Sequence, residues 1–411
     1  MKKVSEEKLK NLSLKSGALI QKLCTGIGER SVGGAGNKKA AEYIEKEFLS
    51  SGWETLSQEF NAFDWKNEGA VLKTGKEEFE VFSSPYSKGC SAEGKIREIR
   101  KLSELENSDS AGKILLLRGE IAAEQLMPKS FVFYNPEKHR RTIAALEKSG
   151  AAALICATSR NSGLAGGVYP FPLIEDGDFE IPSVYMTEEE SDRILNHIDS
   201  SFSLLSKAER IPSSGRNIIA KKGGGEGIIA VTAHLDTKNG TPGAIDNATG
   251  VAVLILLSGL LRDYKGRPAI ELTAFNGEDY YSVPGQMKYI AEKKGDFSDI
   301  ILNINIDGAG YNEGSSQLSE YGLDEKISAA VSGVCGLYPG VGKGEQWPQG
   351  DHSIFVQNGV PAIAASSGWF IENMESQEIT HTPKDNPEIV DHLKTAELAA
   401  AISEIIKEIT E

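Results

Sequence analysis

Six residues of the types that bind metal ions or move protons stand beside short apolar segments in the second half of the chain. They are His234, Asp246, Glu278, Asp279, Asp307 and His381. Imidazoles and carboxylates without thiolates suit Zn²⁺, Mn²⁺ or Co²⁺, and the two histidines favour zinc. The side chains of the adjacent Glu278 and Asp279 point apart, so the two do not easily share the ligand role, and five ligands remain. Five ligands are too many for one tetrahedral site with an open position, but they suit two metal ions that share a carboxylate. These residues therefore predict a two-metal site with room for a bridging water.

Three predicted strands each end at one of these side chains or just before it. The segment GIIAVTA (227–233) precedes His234, AIELTAF (269–275) precedes Glu278 and Asp279, and IILNINI (300–306) precedes Asp307. The remaining two candidates lie in Gly- or Pro-rich loops that precede helices, Asp246 in 241–250 and His381 in 379–387. Ligands of open α/β sheets bind beyond the carboxyl ends of the strands, so this placement is typical of a functional site.

The same region predicts the fold class. Its strands alternate with predicted helices at 248–264, 283–294, 324–336 and 387–411, and a further strand covers 361–365. This alternation predicts an α/β fold with a mostly parallel central sheet that is flanked by helices on both faces.

The length of 411 residues predicts two domains, because a single hydrophobic core rarely supports so long a chain. We assign 1–65 and 211–411 to the domain that carries the candidate ligands, with a helix at about 37–51. Residues 66–210 form a smaller inserted domain, α/β or β-rich, whose strands and helices alternate from 113 to 195 without a cluster of histidines and acids.

The composition restricts the partners. The formal net charge of −15 argues against nucleic acid and anionic membranes, which require clustered Lys and Arg. No segment has the roughly 20 apolar residues of a membrane-spanning helix, and the first residues lack the pattern of a secretory signal. The four cysteines are far apart and form no C-x-x-C pair, which indicates reduced thiols and a cytoplasmic protein.

Five short motifs resemble, in order, those of the co-catalytic zinc aminopeptidase family, which also includes glutamate carboxypeptidase, glutaminyl cyclase and the transferrin receptor. They are HLD (234–236), GAIDN (243–247), FNGED (275–279), NID (305–307) and HTP (381–383). The segment 28–53 resembles the opening of the same family. Residues 66–210 resemble, more weakly, a protease-associated domain through KILLLRG (113–119) and ALEKSGAAALICA (145–157).

The resemblance implies a zinc-exopeptidase fold that binds two Zn²⁺ ions, with Co²⁺ or Mn²⁺ as possible substitutes. One zinc would be held by His234 and Asp307, the other by Asp279 and His381, and Asp246 would bridge them. Asp236 would accept a hydrogen bond from the imidazole of His234. A cis peptide bond between Asp246 and Asn247 is implied as well.

The resemblance also assigns the general base to Glu278, which would take a proton from the bridging water and pass it to the leaving amine. The family usually has two glutamates where this chain has Glu278 and Asp279. Aspartate is one methylene shorter than glutamate. Either the loop comes closer to the metal, or Asp279 binds the metal differently. For Asp351, His352 and Tyr280 we consider both a substrate-pocket role and a purely structural one.

The predicted function is that of a zinc-dependent exopeptidase, an aminopeptidase that removes N-terminal residues from peptides. A carboxypeptidase or dipeptidase that uses the same site is the nearest alternative. A glutaminyl cyclase fits less well, because that chemistry uses one zinc. An inactive, receptor-like binding scaffold is the alternative from another class, although Glu278 and the ligands are retained. Side-chain preference, oligomeric state and the role of the inserted domain stay open.

Overall fold

A computed structural model of the chain describes residues 1–129, 131, 135–161, 168–280 and 282–410. The chain divides into two compact units. The first consists of Met1–Asn61, Ser214–Asp279 and Val283–Glu411, and the second of Ala62–Ser213 and Tyr280–Ser282. These limits lie close to the predicted boundaries at 65/66 and 210/211, and Tyr280 falls in the second unit rather than in the unit that carries the candidate ligands.

The strands and helices of the described residues are numbered in chain order. The strands are β1 Glu54–Thr74, β2 Glu77–Phe79, β3 Phe82–Ser83, β4 Cys90–Ile99, β5 Ile114–Leu117, β6 Ala153–Thr158, β7 Ser183–Thr187, β8 Ser201–Lys222, β9 Ile228–His234, β10 Ala269–Phe275, β11 Ile300–Ile306, β12 Ser316–Tyr321, β13 Val341–Gly344 and β14 Ala362–Ser367. The helices are α1 Glu6–Gln21, α2 Ala35–Ser50, α3 Leu102–Glu106, α4 Glu137–Lys148, α5 Glu188–Leu195, α6 Thr249–Leu260, α7 Pro284–Lys293, α8 Glu325–Leu337, α9 His352–Gln357, α10 Gly368–Glu372 and α11 His392–Thr410. Short π or 3₁₀ turns cover Lys22–Ile27, Gly119–Ala122, Ala244–Ala248 and Pro387–Ile389.

The first unit contains a sheet in the order β13-β12-β14-β11-β9-β10-β8. Its centre is parallel, because β11 pairs with β14 and β9, and β9 pairs with β10. The antiparallel pairs are β12 with β14 and β10 with the last residues of β8. The predicted α/β fold with a mostly parallel sheet flanked by helices is therefore confirmed.

Helix α6 is the centre of the hydrophobic core of this unit. Its sequence TGVAVLILLSGL has no polar face, and each residue from Thr249 to Ser258 is buried. It packs against α1, α2, α11 and the strands β9 and β10. Each buried Val, Leu or Ile stabilises the fold by roughly 1.5–3 kcal/mol, so this packing fixes the start of α6 and the Ala244–Ala248 turn before it. In the described part of the chain, no helix is long and apolar enough to cross a membrane.

The second unit has its own sheet, in the order β8-β4-β5-β6-β7-β3, while β1 pairs with β2 and β8. The parallel strand β5 shows how this sheet is buried on both faces. Leu115 and Leu117 join one hydrophobic cluster, and Ile114 and Leu116 join another, as the two-residue period of a strand requires. The unit is an α/β domain, and its identity as a protease-associated domain stays a prediction.

Candidate metal centre

The parallel strands bring three of the predicted side chains to one edge of the first unit's sheet. His234 is the last residue of β9 and pairs in register with Phe275 of β10. Asp279 follows β10 after a short turn, and Asp307 directly follows β11, which pairs with β9 on its other side. The carboxyl ends of neighbouring parallel strands meet at the same edge, so the three side chains converge there.

Asp246 reaches the same place from the turn before α6. Its peptide bond to Asn247 is cis, as the resemblance implies. Gly243 begins this turn with a φ of 57°, and a Cβ there would lie 2.5 Å from the carbonyl oxygen of Asp246. A glycine is therefore required at the point where the chain bends toward the site. His381 comes from the loop that precedes Pro387–Ile389, with a φ of 64°.

The five side chains form two overlapping groups that share Asp246. One group is His234, Asp246 and Asp307, and the other is Asp246, Asp279 and His381, with the ligand atoms of each group within 4.8 Å of one another. The Asp246 carboxylate divides its oxygens between the groups. Its Oδ1 lies 3.0 Å from His234 Nε2, and its Oδ2 lies 3.1 Å from His381 Nε2. His234 Nε2 is 3.6 Å from Asp307 Oδ1, and His381 Nε2 is 3.2 Å from Asp279 Oδ1.

The donor set fits zinc ions at these two positions. Among the described residues, neither nitrogen of the buried His234 ring has a hydrogen-bond partner, and the same is true of Asp279 Oδ2. Buried polar atoms without partners are rare unless an ion or water satisfies them. Imidazole nitrogens and carboxylate oxygens are ligands that zinc accepts, and the shared carboxylate is the arrangement that five ligands for two ions require.

The electrostatics of the cluster also favour cations. Burial would lower the pKa of His381, but the carboxylates of Asp279 and Asp246 raise it to about 10. Burial raises the pKa of Asp307, although His234 opposes this rise. The negative charge that raises the pKa of His381 would favour a metal cation at the same position.

Glu278 stands beside the first group without belonging to either. Its Oε2 is 4.0 Å from His234 Nε2, and its side chain is 25% exposed. Burial raises the pKa of Glu278 well above its usual value, and the negative charges of Asp307 and Asp279 add to the rise while His234 opposes it. A carboxylate close to a metal position can take up a proton and return it.

Asp236 supports the turn that carries Glu278 and Asp279. Its Oδ1 accepts hydrogen bonds from the main-chain N–H groups of Gly277 (2.6 Å) and Glu278 (3.2 Å), and its Oδ2 accepts one from Asp279 N–H (3.0 Å). The distance from Asp236 Oδ1 to His234 Nδ1 is 3.6 Å, longer than a hydrogen bond. The three bonds to the 277–279 main chain are a contribution that the sequence reasoning missed.

Two further buried charges hold the turn that carries Asp246, and the sequence reasoning missed both. Asp385 accepts hydrogen bonds from the N–H groups of Ile245 (2.6 Å) and Asp246 (3.0 Å). Arg30, the largest fully buried side chain among the described residues, donates to the carbonyls of Leu235, Pro242 and Gly243 at 2.8–2.9 Å. Burial raises the pKa of Asp385 to about 7, and the charge of Asp246 contributes. The available sequence signal was their position, because Arg30 lies in the segment 28–53 that resembles the opening of the family and Asp385 lies in the loop 379–387 that carries His381.

Residues 217–406 match the family model described as peptidase family M28. This part of the chain belongs to that family. The chain is 20% identical over 378 residues to a probable leucine aminopeptidase 2 of Aspergillus oryzae, covering 85% of this chain and 70% of the relative. It is 23% identical over 411 residues to the aminopeptidase YwaD of Bacillus subtilis, covering 93% and 81%. Its fold is similar to the crystal structure of a zinc aminopeptidase from Bacillus subtilis, with a TM-score of 0.74, 19% identity, and coverage of 97% of this chain and 95% of that one.

The three predicted pocket residues, Asp351, His352 and Tyr280, occupy different settings. Asp351 is buried and accepts a hydrogen bond from Gln286 Nε2 at 2.7 Å, and burial raises its pKa to about 7. His352 is buried beside Trp347 and Tyr321, its Nε2 lies 3.0 Å from the carbonyl oxygen of Trp347, and burial lowers its pKa to about 4. These contacts hold both side chains in place, and a role for them in the substrate pocket stays a prediction.

Tyr280 packs its ring against Tyr86 in the second unit, with centroids 4.2 Å apart. Burial raises the pKa of its phenol, whereas a hydrogen bond with Ser282 lowers it. This aromatic pair gives Tyr280 a packing role within that unit, and a role in substrate binding stays a prediction.

Proposed function

We propose that the chain is a zinc aminopeptidase with two zinc ions, which removes N-terminal residues from peptides. The observation that carries the proposal is the pair of overlapping ligand groups that share Asp246, with Glu278 next to them. The match of residues 217–406 to peptidase family M28 and the aminopeptidase names of the relatives support the choice of reaction.

The position of each residue determines its role. His234 and Asp307 would hold one ion, Asp279 and His381 the other, and Asp246 both. Zinc ions bound here would supply Lewis-acid activation of the attacking water and of the scissile carbonyl. Glu278 would accept the proton of that water at a carboxylate oxygen and return it to the amine that leaves. Asp236, Arg30 and Asp385 would keep the ligand loops in place without touching the substrate.

The test uses the full chain freed of metal and then reconstituted with measured amounts of zinc. We expect hydrolysis of aminoacyl-4-nitroanilides, release of the N-terminal residue from a free peptide, and no cleavage after N-acetylation. Activity should require up to two zinc ions per chain. Cleavage of N-acetylated peptides from their C-terminus would establish a carboxypeptidase instead. Stable binding of zinc with no cleavage of any peptide would establish a binding scaffold.

A further inference from the structure

A buried lysine lies next to the second ligand group. Lys238 follows β9 and is 9% exposed, and its Nζ donates a 2.6 Å hydrogen bond to the main-chain carbonyl oxygen of Asp279. An ammonium group loses its hydration when it is buried, so it is found inside proteins where polar partners compensate. A hydrogen bond from a charged donor is about twice as strong as a neutral one. Lys238 therefore holds the main chain of a ligand candidate.

The main chain of Asp279 is held by opposite charges at both of its polar groups. Asp236 Oδ2 accepts from its N–H at 3.0 Å, and Lys238 donates to its carbonyl oxygen. An aspartate has one methylene between its Cα and its carboxylate, and its χ1 adopts a few staggered positions. The carboxylate can therefore reach only what its main chain allows. With the main chain held, Asp279 Oδ1 lies 3.2 Å from His381 Nε2.

The other ligand group does not depend on this contact. His234 is the last residue of β9, and Asp307 directly follows β11, so hydrogen bonds of the sheet set their positions. Asp279 stands in a turn beyond the end of β10, outside the paired residues, which end at Phe275. A loss of Lys238 would thus act on one group and spare the other.

We propose that Lys238 is a positioning residue for the metal position formed by Asp246, Asp279 and His381. It fixes the main chain of Asp279 so that the short side chain reaches the ion. The inference rests on the proposed function, since it requires two metal positions in this chain.

The test is a metal titration that needs no turnover. Metal-free wild type and Lys238→Met are titrated with Zn²⁺ by calorimetry, and with Co²⁺ while its visible absorption is recorded. Wild type should show two binding events. In Lys238→Met, we expect one event to stay unchanged and the other to weaken about 10–100-fold, the usual effect of removing a residue that orients a ligand. Lys238→Arg keeps a charged donor and should restore much of the lost affinity.

A matched control uses Lys222, whose Nζ also donates to a main-chain carbonyl, that of Gly52, at 2.7 Å. Lys222→Met should leave both binding events unchanged. A second test repeats Lys238→Met in an Asp279→Glu background. The longer side chain can compensate for a displaced main chain. Lys238→Met should therefore weaken the affected binding event less in this background than in wild type.

Equal weakening of both events, or none, in a folded Lys238→Met would overturn the proposal. If that variant does not fold, Lys238→Gln, which keeps a neutral donor, is judged by the same two outcomes. A wild type with a single binding event would refute this inference together with the two-zinc form of the proposed function. Two events in wild type that Lys238→Met leaves intact would refute the role of Lys238 alone.

Discussion

Asp385 binds the main chain of the ligand that both metal positions share, so replacing it should affect both. In wild type, its two oxygens accept from Ile245 N–H at 2.6 Å and Asp246 N–H at 3.0 Å. Asparagine has the same shape but offers one oxygen, and its amino group would face the other N–H. The change thus removes one bond to a charged acceptor, worth about 1.5–3 kcal/mol, and leaves a buried N–H unpaired. These effects overlap, so we expect a loss of about 2–4 kcal/mol of unfolding free energy.

Part of that loss should appear in metal binding, because the turn that carries Asp246 is no longer held. Each 1.4 kcal/mol corresponds to a tenfold change in affinity, so we expect both zinc affinities to fall at least about tenfold. The assays are urea unfolding of the metal-free protein and zinc calorimetry, at about pH 8, where a carboxyl with a pKa of about 7 is mostly ionised.

Asp324→Asn is the matched control. Asp324 also accepts from a main-chain N–H, that of Ile327 at 2.8 Å, but as the N-cap of α8. Asparagine and aspartate are nearly equivalent at N-caps, so this variant should keep its stability and both metal affinities. A folded Asp385→Asn with both zinc affinities within twofold of wild type would refute the reasoning.

Three further changes test the site and its surroundings. Glu278→Gln should keep both zinc ions but lower kcat on an aminoacyl anilide about 10²–10⁴-fold, since glutamine cannot accept a proton. Turnover at the wild-type rate would show that Glu278 is not the general base. Chelation should lower the melting temperature, and free zinc at 100-fold its Kd should restore about 2.7 kcal/mol for one site; an unchanged transition would contradict metal binding by the folded state. Burial lowers the pKa of His352 from 6.5 to about 4, so its stabilising contribution is complete above pH 6.5 and is lost as the pH falls toward 4. His352→Gln should therefore flatten the pH dependence of the unfolding free energy in that window, by about 3 kcal/mol in total. The same pH dependence in the variant and in wild type would contradict this prediction.

The sequence is most informative where a regular element ends at a chemical group. His234 and Asp307 stand directly at the ends of apolar strands, and the strand pattern alone predicts that they meet. Asp246 and His381 lie in loops, whose course is not readable from periodicity, and their placement depended on the resemblance. The long strands β1 and β8 were not predicted, because their charged and glycine-containing sequences lack a continuous apolar pattern.

The buried charges around the site could not be predicted from local pattern. Lysine, arginine and aspartate normally lie at the surface, so Arg30, Lys238 and Asp385 each suggest solvent exposure. Their partners are also distant in sequence, since Asp385 binds the N–H of Ile245, 140 residues away, and Arg30 binds the carbonyl of Leu235, 205 residues away. Such contacts appear only when the chain is folded.

The need for these charges follows from where the ligands stand. Ligand loops at strand ends leave main-chain N–H and carbonyl groups without the partners that a sheet or helix would provide, and buried unpaired groups are costly. Asp236 and Asp385 satisfy the N–H groups, whereas Arg30 and Lys238 satisfy the carbonyls. These bonds also fix the main chain at or next to the ligands before any ion arrives. The repulsion among the carboxylates of Asp246, Asp279 and Asp307 is thus overcome when the chain folds, and an ion that binds afterwards meets ligands that are already in position.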